Sequence, residues 1–490
     1  MLFENKLSTI ENEIASASDY DAFYDACFRH DEMSGANQWK LKDESSDYDY
    51  RLIRKRVERI KAAKHRGNAT ALMSILHEGI HGNLGNFAAP KLSQYAKLGT
   101  KKLIESFLDE VCDALSLIYA ADEQEIDFAT KLAFFEDTSH AYGQSCLMLS
   151  GGAGLGFFHA GVVKALSEHN LIPNIVSGSS AGSIIAALIG TRTEEELLED
   201  LSPARIFERF QGWSKFSGIK KEGFLDSRYL ENTLIELFDL MTFGEAFEKT
   251  GINMTITVSP ADLHQTSRLL NAQTSPNAII TQSVRASVAI PYVFSPVYLK
   301  AKNKNGEVVP YIPNRQFVDG SMMADLPFRR LARLYGVNHS IVSQTNPLAT
   351  PFINGGKTDS GSLSEMTLRH VADLAKKNSV YFFDVLEKVS VSDYLKRGIH
   401  KVRSIVDQQY VGDINIVPER KWTDFKLLFA NPTLESLTSL IESAERATWS
   451  QIDLIKRSTI ISKTFAHYLS LLKEEETIRL SNKEIISPLS

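Results

Sequence analysis

Cysteine is scarce. Cys27, Cys112 and Cys146 are the only three in 490 residues, an odd number at wide spacings. They offer neither a disulfide framework nor the paired spacing of a zinc site, which points to a reducing, intracellular setting. Positive charge is not in excess either. Lys plus Arg number 54 against 60 for Asp plus Glu, a net charge of −6 that argues against a nucleic-acid partner. No uncharged apolar run reaches the roughly 18 residues needed to cross a bilayer, so contact with a lipid surface is expected to be peripheral. Met1 to Ile14 carries Glu4, Lys6, Glu11 and Glu13 and lacks the apolar stretch of a signal peptide. Internal repeats and low-complexity tracts are also missing.

Against these absences stands an ordinary globular interior: 43% of residues are hydrophobic, near the average for folded domains, and the length suits roughly two to four of them. Residues 1–140 read as helical. Tyr20, Phe23, Tyr24 and Cys27 recur at helical spacing, and Leu52, Ile53, Val57 and Ile60 interleave with basic residues between Arg51 and Lys64. That basic face is expected to be solvated or to lean on acidic neighbours; contact with anionic lipid headgroups is the minority reading. His77-Glu78-Gly79-Ile80-His81 spells H-E-x-x-H, a zinc pattern that works only when one continuous helix carries both imidazoles. Gly79 weakens that helix and Gly82-Asn83 is expected to end it, so packed histidines at a helix end are the expectation.

The chemistry begins at Cys146–Leu149, a short apolar strand. It runs into Gly151-Gly152-Ala153-Gly154-Leu155-Gly156 and then a helix from Phe157. The glycine run fits neither G-x-G-x-x-G nor Walker A. What remains for it is to aim backbone N–H groups at an anion or oxyanion, or simply to turn tightly. Next, Ile175-Val176 forms a strand and Gly178-Ser179-Ser180-Ala181-Gly182 a G-x-S-x-G turn before an apolar helix. Gly178 and Gly182 allow a sharp strand-to-helix elbow that presents the Ser180 hydroxyl. Strand, loop, helix, strand, elbow, helix implies a parallel sheet, with both loops at the carboxyl ends of their strands, where such sheets place their sites. Further strands are expected at Met254–Ser259, Ser340–Gln344 and Asn415–Val417, a capping box at Thr193 to Glu196, a helix capped by Thr433, and a linker over Thr350–Ser364. The proline-broken run Ala286–Val297 suits either core or the wall of an apolar channel. A nucleophilic serine needs a base. The residues leave two options: a histidine, or Asp319 in Phe317-Val318-Asp319-Gly320-Ser321. His159 and Asp325 are expected to be packing and pairing residues, and Ser179 and Ser183 to serve the turn.

A glycine loop, then G-x-S-x-G, then D-G-S well downstream, together with Ala289-Ile290-Pro291, resembles the patatin-like phospholipases. The likeness extends to the intracellular triacylglycerol-lipase branch, which has an extra helical domain in front. It is carried by Trp39-Lys40, Tyr48-Asp49, Asn83-Leu84-Gly85, Leu98-Gly99-Thr100-Lys101, Asp325-Leu326-Pro327, Val342–Pro347, Tyr410–Ile414 and Glu445–Trp449. The resemblance implies an α/β chain: a patatin-type three-layer α/β/α domain with a mainly parallel sheet at 141–350, a helical domain at 1–140 and a mainly helical region at 351–490. It implies a Ser180/Asp319 dyad, an oxyanion hole from Gly151, Gly152, Ala153 and Gly154, and no metal or organic cofactor. It also implies hydrolysis of acylglycerol esters at a peripheral membrane or lipid-droplet surface. Leu155 stands where many patatins carry Arg or Lys, which tilts the expectation towards neutral glycerides. A phospholipase A or lysophospholipase with the same dyad is the alternative, and a catalytically silent lipid-surface scaffold the third reading. Oligomeric state is left open.

Overall fold

The computed structural model describes residues 2–346, 411–418 and 431–486, apart from 214–215, 221–222, 226, 263–264 and 292. The expected linker over Thr350–Ser364, and the helical pattern expected from Glu365 where it covers 365–410 and 419–430, lie outside the described residues. The chain forms two compact units that interleave along the sequence: Met1–Ser145 with Ala332–His339 and Trp449–Ser490, and Cys146–Leu331 with Ser340–Thr448.

The first unit is helical. Helices at Tyr50–His65, Ala69–Gly79, Lys102–Ala120, Phe128–Tyr142 and Ile452–Ile486 enclose one apolar core. Ile53, Val57 and Ile60 supply it from the first of these helices, Leu103, Ile104, Phe107, Leu108, Val111 and Leu115 from the third, and Ile461, Phe465 and Leu472 from the last. The 3–4–7 spacing gives the Tyr50–His65 and Lys102–Ala120 helices one apolar face, and each buried aliphatic side chain contributes on the order of 2 kcal/mol. Side-chain oxygens of Asp49, Asn68 and Asp127 cap three of the helices by accepting N–H groups of Leu52, Ala71 and Thr130. The basic face of the Tyr50–His65 helix does lean on acids. Arg54 pairs with Asp43 at 2.7 Å, Arg59 with Glu78 at 3.3 Å, and Lys64 with Glu110 and Asp113 at 2.8 and 2.7 Å. In the H-E-x-x-H stretch the helix ends at Gly79, two residues before the second histidine. His77 Nδ1 meets Thr138 Oγ1 at 3.2 Å and His81 is exposed, so the two rings share no helix face.

The second unit is built on an eight-stranded sheet. Its strands are β1 (Gln144–Leu149), β2 (Ile175–Ser179), β3 (Asn253–Pro260), β4 (Arg268–Asn271), β5 (Val297–Tyr298), β6 (Gln316–Asp319), β7 (Val337–Ser343) and β8 (Ile414–Ile416). The spatial order is β8-β7-β1-β2-β3-β6-β5, with β4 also paired to β3. The pairs β1–β2, β2–β3 and β7–β8 are parallel, whereas β6 runs antiparallel to both β3 and β5. The sheet is therefore mixed: its parallel part includes the expected βαβα unit, and β6 runs against its neighbours on either side. Strands β1, β2 and β3 are buried along nearly their whole length, as expected of a sheet covered on both faces.

Candidate active site

Register brings the distant pieces together. Leu149 of β1 lies beside Gly178 of β2, Ser179 beside Thr257 of β3, and Asp319 of β6 beside Val258. With neighbouring strands about 4.8 Å apart, the ends of β1, β2 and β6 converge at one level although up to 170 residues, from Leu149 to Asp319, separate them. Gly151 closes the group: a Cβ there would stand 2.9 Å from Ser321 Cβ and 3.2 Å from Ser180 Cβ.

Ser180 sits on the elbow between β2 and the Ala181–Thr191 helix, with φ +50° and ψ −126°. A non-glycine residue there is strained, and such strain persists only where the surroundings hold it. They do. A Cβ on Gly178 would run into the Gly182 carbonyl, and one on Gly182 into the Leu149 carbonyl, so only glycine lets these backbones meet. The Ser180 N–H donates to Ser287 Oγ at 3.0 Å, and that hydroxyl donates to the Thr257 carbonyl at 2.8 Å. Ser180 also occupies the N-cap position of its helix, where the macrodipole favours developing negative charge.

Asp319 is 2% exposed. Burial pushes its carboxyl up to about 6, against the opposing pull of hydrogen bonds from the Ser180 side chain and from the backbone and side chain of Ser321. The Ser321 N–H donates to Asp319 Oδ1 at 2.8 Å, and the Asp319 N–H donates to the Ala289 carbonyl at 2.9 Å. The proline-broken run thus serves both expected roles: Ala289 and Val293 are buried core, while Val288, Ile290 and Phe294 line a cavity. That cavity opens at Ser180 and follows its helix through Ala181, Ile184, Ile185 and Leu188. Eight residues of helix rise about 12 Å, so the apolar wall is long and narrow. Phe157, Phe210 and Trp213 also face it. Its charged lining groups, Asp200 and Arg209, neutralise each other at 2.8 Å.

The glycine loop departs from expectation at one position. The Gly151 N–H already donates to Asp325 Oδ1 at 2.7 Å, so Gly151 is removed from the set of oxyanion donors. Ala153 and Gly154 open a short 3₁₀ helix, and N–H groups at a helix start have no partner within it. Ala153 holds φ +46°, a left-handed conformation that costs a residue with a Cβ about 1–2 kcal/mol. Ala153→Gly should therefore stabilise the folded protein, by on the order of 1 kcal/mol after glycine's greater chain entropy is deducted. Chemical denaturation of the two proteins side by side checks this, and equal or lower stability of the glycine variant would refute it.

The remaining candidates are supports. His159 is fully buried; its ring contacts Ser343 Oγ at 2.6 Å and the Ser150 carbonyl at 2.9 Å, and burial lowers it to about 4. It is a neutral strut beneath the loop. The Ser183 hydroxyl donates to the Ser180 carbonyl at 2.6 Å, and Ser179 is fully buried. The sequence reading missed Ser287 and Asn346, whose amide donates to Asp325 Oδ2 at 2.9 Å.

The sequence profile of the patatin-like phospholipases matches residues 147–332, the stretch that carries the glycine loop, the elbow and Asp319. The chain carries a patatin-like phospholipase domain. Ahead of its patatin domain, residues 2–140 match a domain of unknown function, DUF3336. Among curated proteins, triacylglycerol lipase SDP1L of Arabidopsis thaliana is 31% identical over 467 residues, 90% of this chain and 56% of the relative. Triacylglycerol lipase 4 of Saccharomyces cerevisiae is 33% identical over 466 residues, 90% of this chain and 50% of that protein. Triacylglycerol lipase ptl3 of Schizosaccharomyces pombe is 29% identical over 490 residues, 96% of this chain and 99% of its own length. The chain spans about half the length of the first two. Among the described residues of this chain, no helix is long and apolar enough to cross a membrane.

Proposed function

We propose that this chain is a serine acyl hydrolase that cleaves the ester bonds of acylglycerols at a lipid surface. The observation that carries the reading is the strained Ser180 beside the buried Asp319, at the mouth of an apolar cavity. Ser180 Oγ attacks the ester carbonyl while its proton passes to Asp319. The N–H groups of Gly152, Ala153 and Gly154 take the charge that forms on the carbonyl oxygen. As the tetrahedral intermediate collapses, the C–O bond to the alcohol breaks and Asp319 returns the proton to the departing oxygen. Water then attacks the acyl-Ser180 ester with Asp319 again as proton acceptor, releasing the fatty acid and restoring the hydroxyl. The acyl chain occupies the apolar cavity along the Ala181–Thr191 helix.

The preference for neutral esters is supported by what lines the site. Leu155 is buried, 4% exposed, and Arg209 on the cavity wall is already paired with Asp200, so among the described residues lining the cavity no cation is left for a phosphate. The names of the relatives agree with this choice. One preparation should be assayed on tri-, di- and monoacylglycerol and on phosphatidylcholine, with a fluorophosphonate probe as the second arm. Faster turnover of an acylglycerol, with the probe on Ser180, is the expected result. Faster turnover of the phospholipid would transfer the chain to the phospholipases A. Absence of both labelling and turnover would leave a lipid-binding scaffold.

A further inference from the structure

We propose that Asp325, held in place by Asn346, is a positioning residue that clamps the Gly151 peptide and so aims the amides of Gly152, Ala153 and Gly154 at the oxyanion above Ser180. The inference rests on the hydrolase reading for its consequence but on hydrogen bonds alone for its structure. Asp325 is 2% exposed. One carboxylate oxygen accepts the Gly151 N–H at 2.7 Å, and the other accepts the Asn346 side-chain amide at 2.9 Å. Those two bonds tie together three segments far apart in sequence: the end of β1, the turn after β6 and the end of β7.

The clamp fixes the next peptide as well. Thr345 Oγ1 and Ser150 Oγ donate to the Gly151 carbonyl at 3.3 and 3.1 Å. In a planar trans peptide the carbonyl and the following N–H point in opposite directions. Holding the Gly151 oxygen against Ser150 and Thr345 therefore turns the Gly152 N–H away from them. With both ends of the Gly151 unit pinned, the strained φ of +46° at Ala153 becomes tenable, since strain of that kind survives only when its flanks are over-determined. Burial also pushes the Asp325 carboxyl up to about 7, with the Gly151 N–H and Asn346 opposing the rise and the Asp319 charge adding to it. A carboxylate kept in so costly a place is consistent with a structural task that only an acceptor with two lone-pair faces performs.

Three variants separate the clamp from other roles. Asp325→Ala removes the acceptor and should lower kcat by about 10²-fold with little change in KM, the loss typical of a misdirected oxyanion donor. Asp325→Asn keeps an oxygen for the Gly151 N–H, and Asn346 can flip its amide to accept from the new one; it should recover activity to within about tenfold of the native enzyme. Asn346→Ala should fall between the two. Amide hydrogen exchange of the peptide Ser150–Phe157 supplies a readout independent of catalysis. It should quicken in Asp325→Ala, stay near native in Asp325→Asn, and not respond to Ser180→Ala. Native exchange in Asp325→Ala would overturn the clamp whatever the activity. A folded Asp325→Asn protein as inactive as Asp325→Ala would assign the effect to charge and overturn it too. Should the native protein hydrolyse no ester, the hydrolase reading fails while the exchange measurement still decides the clamp.

Discussion

Replacing Ser180 by Ala is expected to lower kcat/KM on a p-nitrophenyl ester by on the order of 10⁴-fold or more. The substitution deletes one oxygen and keeps the Cβ and the backbone N–H that donates to Ser287. The elbow geometry, with φ +50°, is thus no more strained in the variant than in the native chain, and thermal unfolding should remain near native. Neither of the other two hydroxyls of the elbow can take over. Ser183 is committed to the Ser180 carbonyl, and Ser179 is shut inside β2 with its Oγ unpartnered in the buried strand. The variant should also lose the fluorophosphonate adduct. Native-level hydrolysis by pure Ser180→Ala protein would end the nucleophile assignment; loss of folding alongside loss of activity would be seen in the melting curve and would send the test to Ser180→Cys with a thiol-reactive probe.

The elbow was readable from residues because steric need writes itself into composition. Gly178 and Gly182 are present since carbonyl oxygens occupy the space a side chain would fill, and β-branched Ile175-Val176 before them mark a strand. Capping signals were equally local: Thr193 and Glu196 form both halves of their box, and Thr433 accepts the Ser436 N–H. Strands expected at Cys146, Met254, Ser340 and Asn415 were each found, with ends moved by at most three residues. Other features leave no spacing behind. The Asp325–Gly151 bond spans 174 positions, and any acceptor on any loop could have met that N–H. Ser287 is one hydroxyl in an apolar run, indistinguishable by pattern from a packed serine. The interleaving of Trp449–Ser490 with the first 145 residues is equally invisible along the chain, because a one-sided helix shows that it will be buried and not against what. Family likeness bridged part of this gap by pointing to Asp319 over the twelve histidines, a choice that periodicity alone left open.

Asp319→Asn should be as inactive as the serine variant to within an order of magnitude, losing at least about 10³-fold, since an amide cannot accept the Ser180 proton. The two variants part in their pH behaviour. On the proposed mechanism Asp319 must be ionised to act as base. With its carboxyl raised from 3.8 to about 6, kcat/KM should fall about tenfold per unit as pH drops below 6 and level off above it. The same shift sets a sign for stability. A carboxyl that is easier to protonate in the folded state than in the unfolded chain leaves the protein most stable below pH 3.8 with respect to this group. That stability is lost as pH rises through 3.8 to 6, and the loss stays constant above. A difference of about two pKa units amounts to on the order of 3 kcal/mol. Asn carries no charge to desolvate and still accepts the Ser321 N–H, so Asp319→Asn should be more stable than native at pH 8, by up to that amount, with the gap closing as pH approaches 4. Ser180→Ala removes one of the bonds that favour the ionised form and should shift the native gap in the opposite direction, by less. Denaturation of all three proteins at pH 4, 6 and 8 reads this out. An Asp319→Asn variant less stable than native at pH 8, or a native acid limb lying near pH 4, would mean that the carboxylate is not buried in the low-dielectric cleft on which its role as a base depends.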